Sequence, residues 1–144
     1  MLNRVSLLLV FALLGLTAGC AADPESAKAA LAQLKEKGRI DDISPTNFVY
    51  CAQMGDLQAV GLYLDSGMDV NSTNALQRTP LMGAAAAETQ SPWFEHNIEI
   101  VQLLLKRGAR VDMKDKDGVT ALKMAKELHR DQVVALLEAA GAKE

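Results

Sequence analysis

Apolar positions along the chain change rhythm several times. From Val5 to Leu16 twelve residues run apolar except for Ser6. Ala27, Ala30, Leu31 and Leu34 then recur at helical spacing, with Lys28, Lys35 and Glu36 falling outside that face, which predicts a helix over Glu25 to Lys37 that stops at Gly38. Beyond it, three segments share one layout. Each starts at a Thr, passes through a short stretch with a bulky residue two places on (Phe48, Leu81, Leu122) and a small one five places on (Cys51, Ala84, Ala125), and continues into a denser apolar run. The denser runs are Ala59, Val60, Leu62, Tyr63, Leu64; Ile100, Val101, Leu103, Leu104, Leu105; and Val133, Val134, Leu136, Leu137, closed by Gly67, Gly108 and Gly141. Each segment therefore predicts two helices. The alternation of large and small residues lets neighbouring helices interdigitate, and a glycine closes each second helix because a left-handed residue costs it little.

Thr46 to Thr79 is 33 residues, and Gly108 to Gly141 is again 33, whereas Thr79 to Thr120 and Gly67 to Gly108 are both 41. The additional eight residues lie inside the second unit, at about 88–97. A 33-residue period carrying Thr79-Pro80-Leu81 and Gly108-Ala109-Arg110-Val111-Asp112 resembles the ankyrin repeat, a β-turn followed by two antiparallel helices. The resemblance implies an all-α solenoid. An N-terminal capping helix or half repeat would occupy residues 25–43, since Ala30, Leu31 and Leu34 precede Gly38 as Ile100, Val101 and Leu104 precede Gly108, and three repeats would occupy 44–144. The chain departs from the family pattern in places. The usual His after Thr-Pro-Leu is Val49, Met82 or Lys123, the Pro is Asn47 and Ala121 in units one and three, and the turn glycine present as Gly118 is Gln77 in unit two.

The first 19 residues have the layout of a secretory signal, with one cation, Arg4, ahead of an apolar run too short to span a bilayer as a helix. Leu16-Thr17-Ala18-Gly19-Cys20 resembles a bacterial lipobox, which implies lipidation of Cys20 and a short tether over 20–24; an ordinary signal cleaved near Ala22 is the other reading. Ala21 after Cys20 favours the outer membrane under the sorting rule of many Gram-negative bacteria, so the expected location is the periplasmic face of a bacterial envelope membrane. Loss of residues 1–19 removes one of 15 basic residues and none of the 18 acidic ones, moving the net charge from −3 to −4. Lys and Arg are interleaved with acids, as in Lys114-Asp115-Lys116-Asp117, so no stripe suited to phosphates exists and no nucleic-acid partner is expected. With Cys20 lipidated, Cys51 is left without a disulfide partner, and its small interior position favours a packed thiol.

Chemistry has little to work with. His96 and His129 fall in different units without Cys or His at ligand spacing, and no nucleophile, metal or phosphate-loop motif is found. The expectation is a monomeric non-enzyme with no catalytic residue, metal or cofactor, working as a protein-binding module that holds or stabilises a periplasmic partner. The alternative is an inhibitor or immunity protein that blocks a cell-wall or lipid hydrolase. Two surfaces are candidates. The concave face that the resemblance implies would carry Tyr50, Met54, Leu76, Gln77, Arg78, Lys116, Val119 and Met124. The insertion holds Trp93 and Phe94, which either reach a partner or fold back over the helix ends.

Overall fold

The structure, a computed structural model, describes residues 23–87 and 94–143, with Phe94 and Glu95 described in the backbone alone. Capping chemistry explains most of the helix starts. In α1 (Pro24–Glu36) the Asp23 carboxylate accepts from the Ser26 amide at 2.9 Å, and Pro24 occupies a first-turn position that has no donor to lose. α2 (Pro45–Met54) is capped by Ser44, whose hydroxyl accepts from the Asn47 amide at 3.2 Å. α3 (Leu57–Asp65) is capped by Asp56 through the Ala59 amide at 3.0 Å. Thr79 opens α4 (Pro80–Ala85), accepting from the Met82 amide at 3.3 Å, and Thr120 opens α6 (Ala121–Glu127) through the Lys123 amide at 3.2 Å. α5 (Phe94–Lys106) and α7 (Asp131–Ala139) are the second helices of the last two units.

Two of these starts differ from the sequence expectation. In unit one the cap is Ser44-Pro45 and not Thr46, so α2 begins earlier and runs for ten residues where α4 has six and α6 seven. In unit two the insertion is partly helical. α5 has 13 residues where α3 and α7 have nine, and the extra four are at its N-terminus, so Phe94 opens a helix instead of lying in a turn.

The helices form two rows. First helices α2, α4 and α6 pack in succession, and α1, α3, α5 and α7 form a second row behind them, with α1 against α3. The core lies between the rows and includes Phe48, Val60, Tyr63, Leu81, Ile100, Val101, Leu104, Leu122, Val133 and Leu137. Phe48 and Tyr63 stack with ring centroids 5.0 Å apart, and the Tyr63 hydroxyl donates to the Asp42 carbonyl at 2.8 Å. Gly67, Gly108 and Gly141 take φ of +89°, +86° and +91°, the left-handed helix ends that the sequence pattern requires. Between units the chain makes a tight turn ahead of each first helix. In the turn before α6 the backbone of Lys114 bridges to Thr120, and the Lys116 amide donates to the Leu76 carbonyl at 3.0 Å, tying that turn to the one before α4.

Candidate partner-binding surfaces

Tyr50, Gly83 and Met124 occupy the same register position in α2, α4 and α6, being 33 and 41 residues apart. That position faces the preceding first helix. A Cβ on Gly83 would meet the Val49 carbonyl of α2 at 2.6 Å, and Met124, on the helix packed against α4, is 6% exposed. Met124 is therefore a contact between repeats and not part of an open surface, correcting the sequence expectation. Tyr50 is 55% exposed because no first helix precedes α2 among the described residues. Its exposure belongs to the end of the row.

The turn tips do present residues outward. Leu76 is 37% exposed, Gln77 holds φ +57°, and Arg78 is half-buried. Asn74 organises this turn, its Oδ1 accepting from the Leu76 amide at 2.9 Å and from the Arg78 amide at 3.1 Å. Asp115 does the same for the next turn, accepting from the Asp117 and Val119 amides at 3.0 Å each and from Arg78 Nε at 3.2 Å. Burial pushes the Asp115 carboxyl upward, but the two amides and the Arg78 guanidinium outweigh that and hold it below the usual carboxylate range. Two successive tips are thus tied to each other by one carboxylate, one guanidinium and one backbone bond. Lys116 and Val119 lie on the second tip, exposed and half-buried respectively.

At the opposite edge, where the helices of a unit turn back, a cleft of about 590 Å³ opens beside Met54, with Arg39, Asp56, Leu57, Gln58 and His96 on its walls. Arg39 spans part of it, donating to Asp56 at 2.7 Å and to Gln58 at 2.9 Å. Met54 itself is 44% exposed. A second cleft of about 340 Å³ lies by Lys114, Gly118, Thr120, Lys123 and Lys126 in the last unit.

Cys51 is buried beside Asn47, and burial, with a contribution from Asp56, pushes its thiol up to about 12. Such a group carries no thiolate at neutral pH and offers no nucleophile. Burial likewise pushes the Tyr63 hydroxyl up. Among the described residues no group of three or more His, Cys, Asp or Glu could hold a metal ion, and no helix is long and apolar enough to cross a membrane. Cys20 and Trp93 lie outside the described residues.

Two buried polar residues had escaped the sequence reading. Asn97 and Arg130 each sit three residues ahead of the first core residue of a second helix, Ile100 or Val133. Asn97 Nδ2 donates to the Ala52 carbonyl at 2.9 Å and the Gln53 carbonyl at 3.3 Å, near the end of α2. Arg130 donates to the Ala84 carbonyl at 2.6 Å and the Ala85 carbonyl at 3.3 Å, at the end of α4. Each of the last two repeats thereby donates to carbonyls at the C-terminal end of the preceding first helix, where helix geometry leaves the last carbonyls short of intrahelical partners. The shared spacing was the available signal.

Stacked pairs of antiparallel helices, joined by tied turns and buried only against their neighbours, define the chain as a helical-repeat solenoid. A family model for ankyrin repeats matches in three copies over residues 48–143, and the chain belongs to the ankyrin-repeat family. It is 39% identical over 75 residues to the ankyrin repeat protein YahD of Escherichia coli, covering 52% of this chain and 36% of that protein. It is 35% identical over 95 residues to serine/threonine-protein kinase 12 of Arabidopsis thaliana, covering 66% of this chain and 19% of the kinase. An ankyrin repeat domain from Acinetobacter baumannii, known from a crystal structure, superposes with a TM-score of 0.60 at 33% identity, covering 67% of this chain and 48% of that one. The chain thus spans between a fifth and a half of these proteins. Ankyrin repeats are in general protein–protein interaction modules, and typically not enzymes.

Proposed function

We propose that this protein is a lipid-anchored module of a bacterial envelope that binds and holds a periplasmic partner protein through its turn tips. The observation that carries the binding face is Leu76, an exposed apolar side chain on a turn fixed by Asn74, by the Arg78–Asp115 pair and by the Lys116 bond to its own carbonyl. A rigid loop that exposes an apolar residue loses little entropy on binding. The anchor reading rests on Leu16 to Cys20 after an apolar run, and two acyl chains would hold the protein where one is marginal. Fatty-acid labelling of the full chain tests the anchor, which fails if Cys20→Ser labels as strongly as the parent. A photo-crosslinker at Leu76 in the same cells tests the face. One discrete adduct, absent when the crosslinker is at exposed Gln132 of α7, is expected, and adducts equal at both sites would refute it.

A further inference from the structure

The two ends of the first-helix row are finished differently. At the C-terminal end, Lys123 is exposed at the register position where Val49 and Met82 are buried by the helix that follows them. Lys126 and Glu127 accompany it, and Lys126 pairs with Glu138 of α7 at 3.3 Å, closing that end with charge. Terminal repeats of a solenoid need such a polar outer face. At the N-terminal end the rule is broken. Thr46, Tyr50 and Met54, four residues apart along α2, form an exposed stripe on a helix with no charged residue, and Ile43 is exposed just ahead of it.

The stack itself shows what such a face accepts. The equivalent face of α4 is covered by α2, so closely that Gly83 has no room for a Cβ, and that of α6 is covered by α4. Among the described residues the place beside α2 is open and one helix wide, because α1 already closes the second row against α3. A second copy continuing the stack would have to seat two helices and would collide with α1. Charge narrows the occupant further. Residues 40–77 contain five Asp and no Glu, Lys, Arg or His. Asp56 and Asp65 are paired with Arg39 and Arg107, while Asp41 and Asp42 stand exposed at the head of the stripe.

We infer that the exposed face of α2 is a docking site for a single helix of another protein, apolar on one face and flanked by Lys or Arg that meet Asp41 and Asp42. This goes beyond the turn-tip reading and stands without the lipid anchor. The probe is a stapled 15-residue helix with an Ala/Leu face and flanking Lys, titrated into isotope-labelled full-length protein in detergent, beside a counterpart with flanking Glu. Amide shifts should concentrate at 43–54, with the Lys helix binding at least tenfold tighter than the Glu helix. Tyr50→Ser should weaken the Lys helix at least tenfold with an unchanged melting temperature, and Asp41→Lys, which brings the local charge to zero, should abolish the preference between the two helices. Leu76→Ser should leave binding unchanged, which separates this site from the turn tips. Shifts centred on Leu76 and Val119, no shifts, equal binding of both helices, or self-association that buries Tyr50 without peptide would each overturn the inference.

Discussion

Gly83 provides the sharpest check on the packing, because the expected sign of its substitution is opposite to the usual one. Replacing glycine by alanine inside a helix normally stabilises by about 0.5–1 kcal/mol, since alanine surrenders less backbone entropy. At Gly83 the added Cβ would lie 2.6 Å from the Val49 carbonyl, 3.3 Å from Val49 Cγ1 and 3.5 Å from the Gln53 amide nitrogen. Ordinary contact with a backbone atom needs about 3.5 Å, so α2 and α4 would have to part by about 0.9 Å. No flexible side chain can absorb this, because the closest obstacle is main chain. Overpacking of this kind costs about 1–3 kcal/mol, which outweighs the propensity gain and leaves Gly83→Ala about 1–2 kcal/mol less stable.

Gly61 is the internal control. It lies within α3, where a Cβ would meet nothing within 4 Å, so Gly61→Ala should stabilise by about 0.5–1 kcal/mol. Urea titration by far-UV circular dichroism measures both free energies, and thermal melts followed by the same signal should fall by about 4–10 °C for Gly83→Ala and rise by a few degrees for Gly61→Ala. A Gly83→Ala protein as stable as the parent would refute the close approach of α2 and α4, and with it the assignment of Tyr50, Gly83 and Met124 to one face.

Gln77 holds φ +57° where the next turn has Gly118 at +77°, so Gln77→Gly should stabilise by about 0.5–1 kcal/mol; a loss of stability in the same titration would show that its side chain matters more than its backbone. Asp115 is held below its unfolded pKa, so its stabilisation is complete above about pH 4 and is lost as the pH falls through its folded value. Asp115→Asn should be destabilised at pH 7 and should converge on the parent at lower pH, and a constant gap down to pH 2 would refute the linkage. Cys51→Ala should change stability by less than about 1.5 kcal/mol, because Ala84 and Ala125 fill the equivalent sites, and Cys51→Leu should cost about 1–3 kcal/mol. The native thiol should resist a thiol reagent at pH 7, and rapid labelling of folded protein would contradict its burial. Asn97→Asp keeps the shape of the side chain but turns a donor toward the Ala52 and Gln53 carbonyls into an anion. It should cost more than Asn97→Ala at pH 7 and less at pH 4, where the carboxyl can protonate and donate again, and a pH-independent difference would sink the proposed hydrogen bonds.

The architecture was legible because the signals that carry it repeat. Glycines at 67, 108 and 141 close second helices in the left-handed conformation, and Phe48, Leu81 and Leu122 return to the core at the same offset from each unit's Thr. The binding surface was less legible, and the reason is geometric. A short first helix has one side toward the preceding repeat, one toward the following repeat and one toward open space, while the sequence distinguishes only apolar from polar. Tyr50 and Met124 share a position, yet one is exposed and the other buried, because what differs is the neighbour and not the residue. The cap in unit one was misplaced for a related reason: aligning on Thr46 hides Ser44-Pro45, which does the same chemistry two residues earlier.

Asn97 and Arg130 show how polar side chains connect the stack across its repeats. The carbonyls at the ends of α2 and α4 lie where a helix runs out of intrahelical donors. Donors reach back to them from the following repeat, an amide in one case and a guanidinium in the other. This couples the repeats more directly than bonds within one unit would, because separating α2 from α5, or α4 from α7, breaks these hydrogen bonds. In a stack close to the minimum of about three repeats, that coupling favours unfolding as a single unit over fraying from one end.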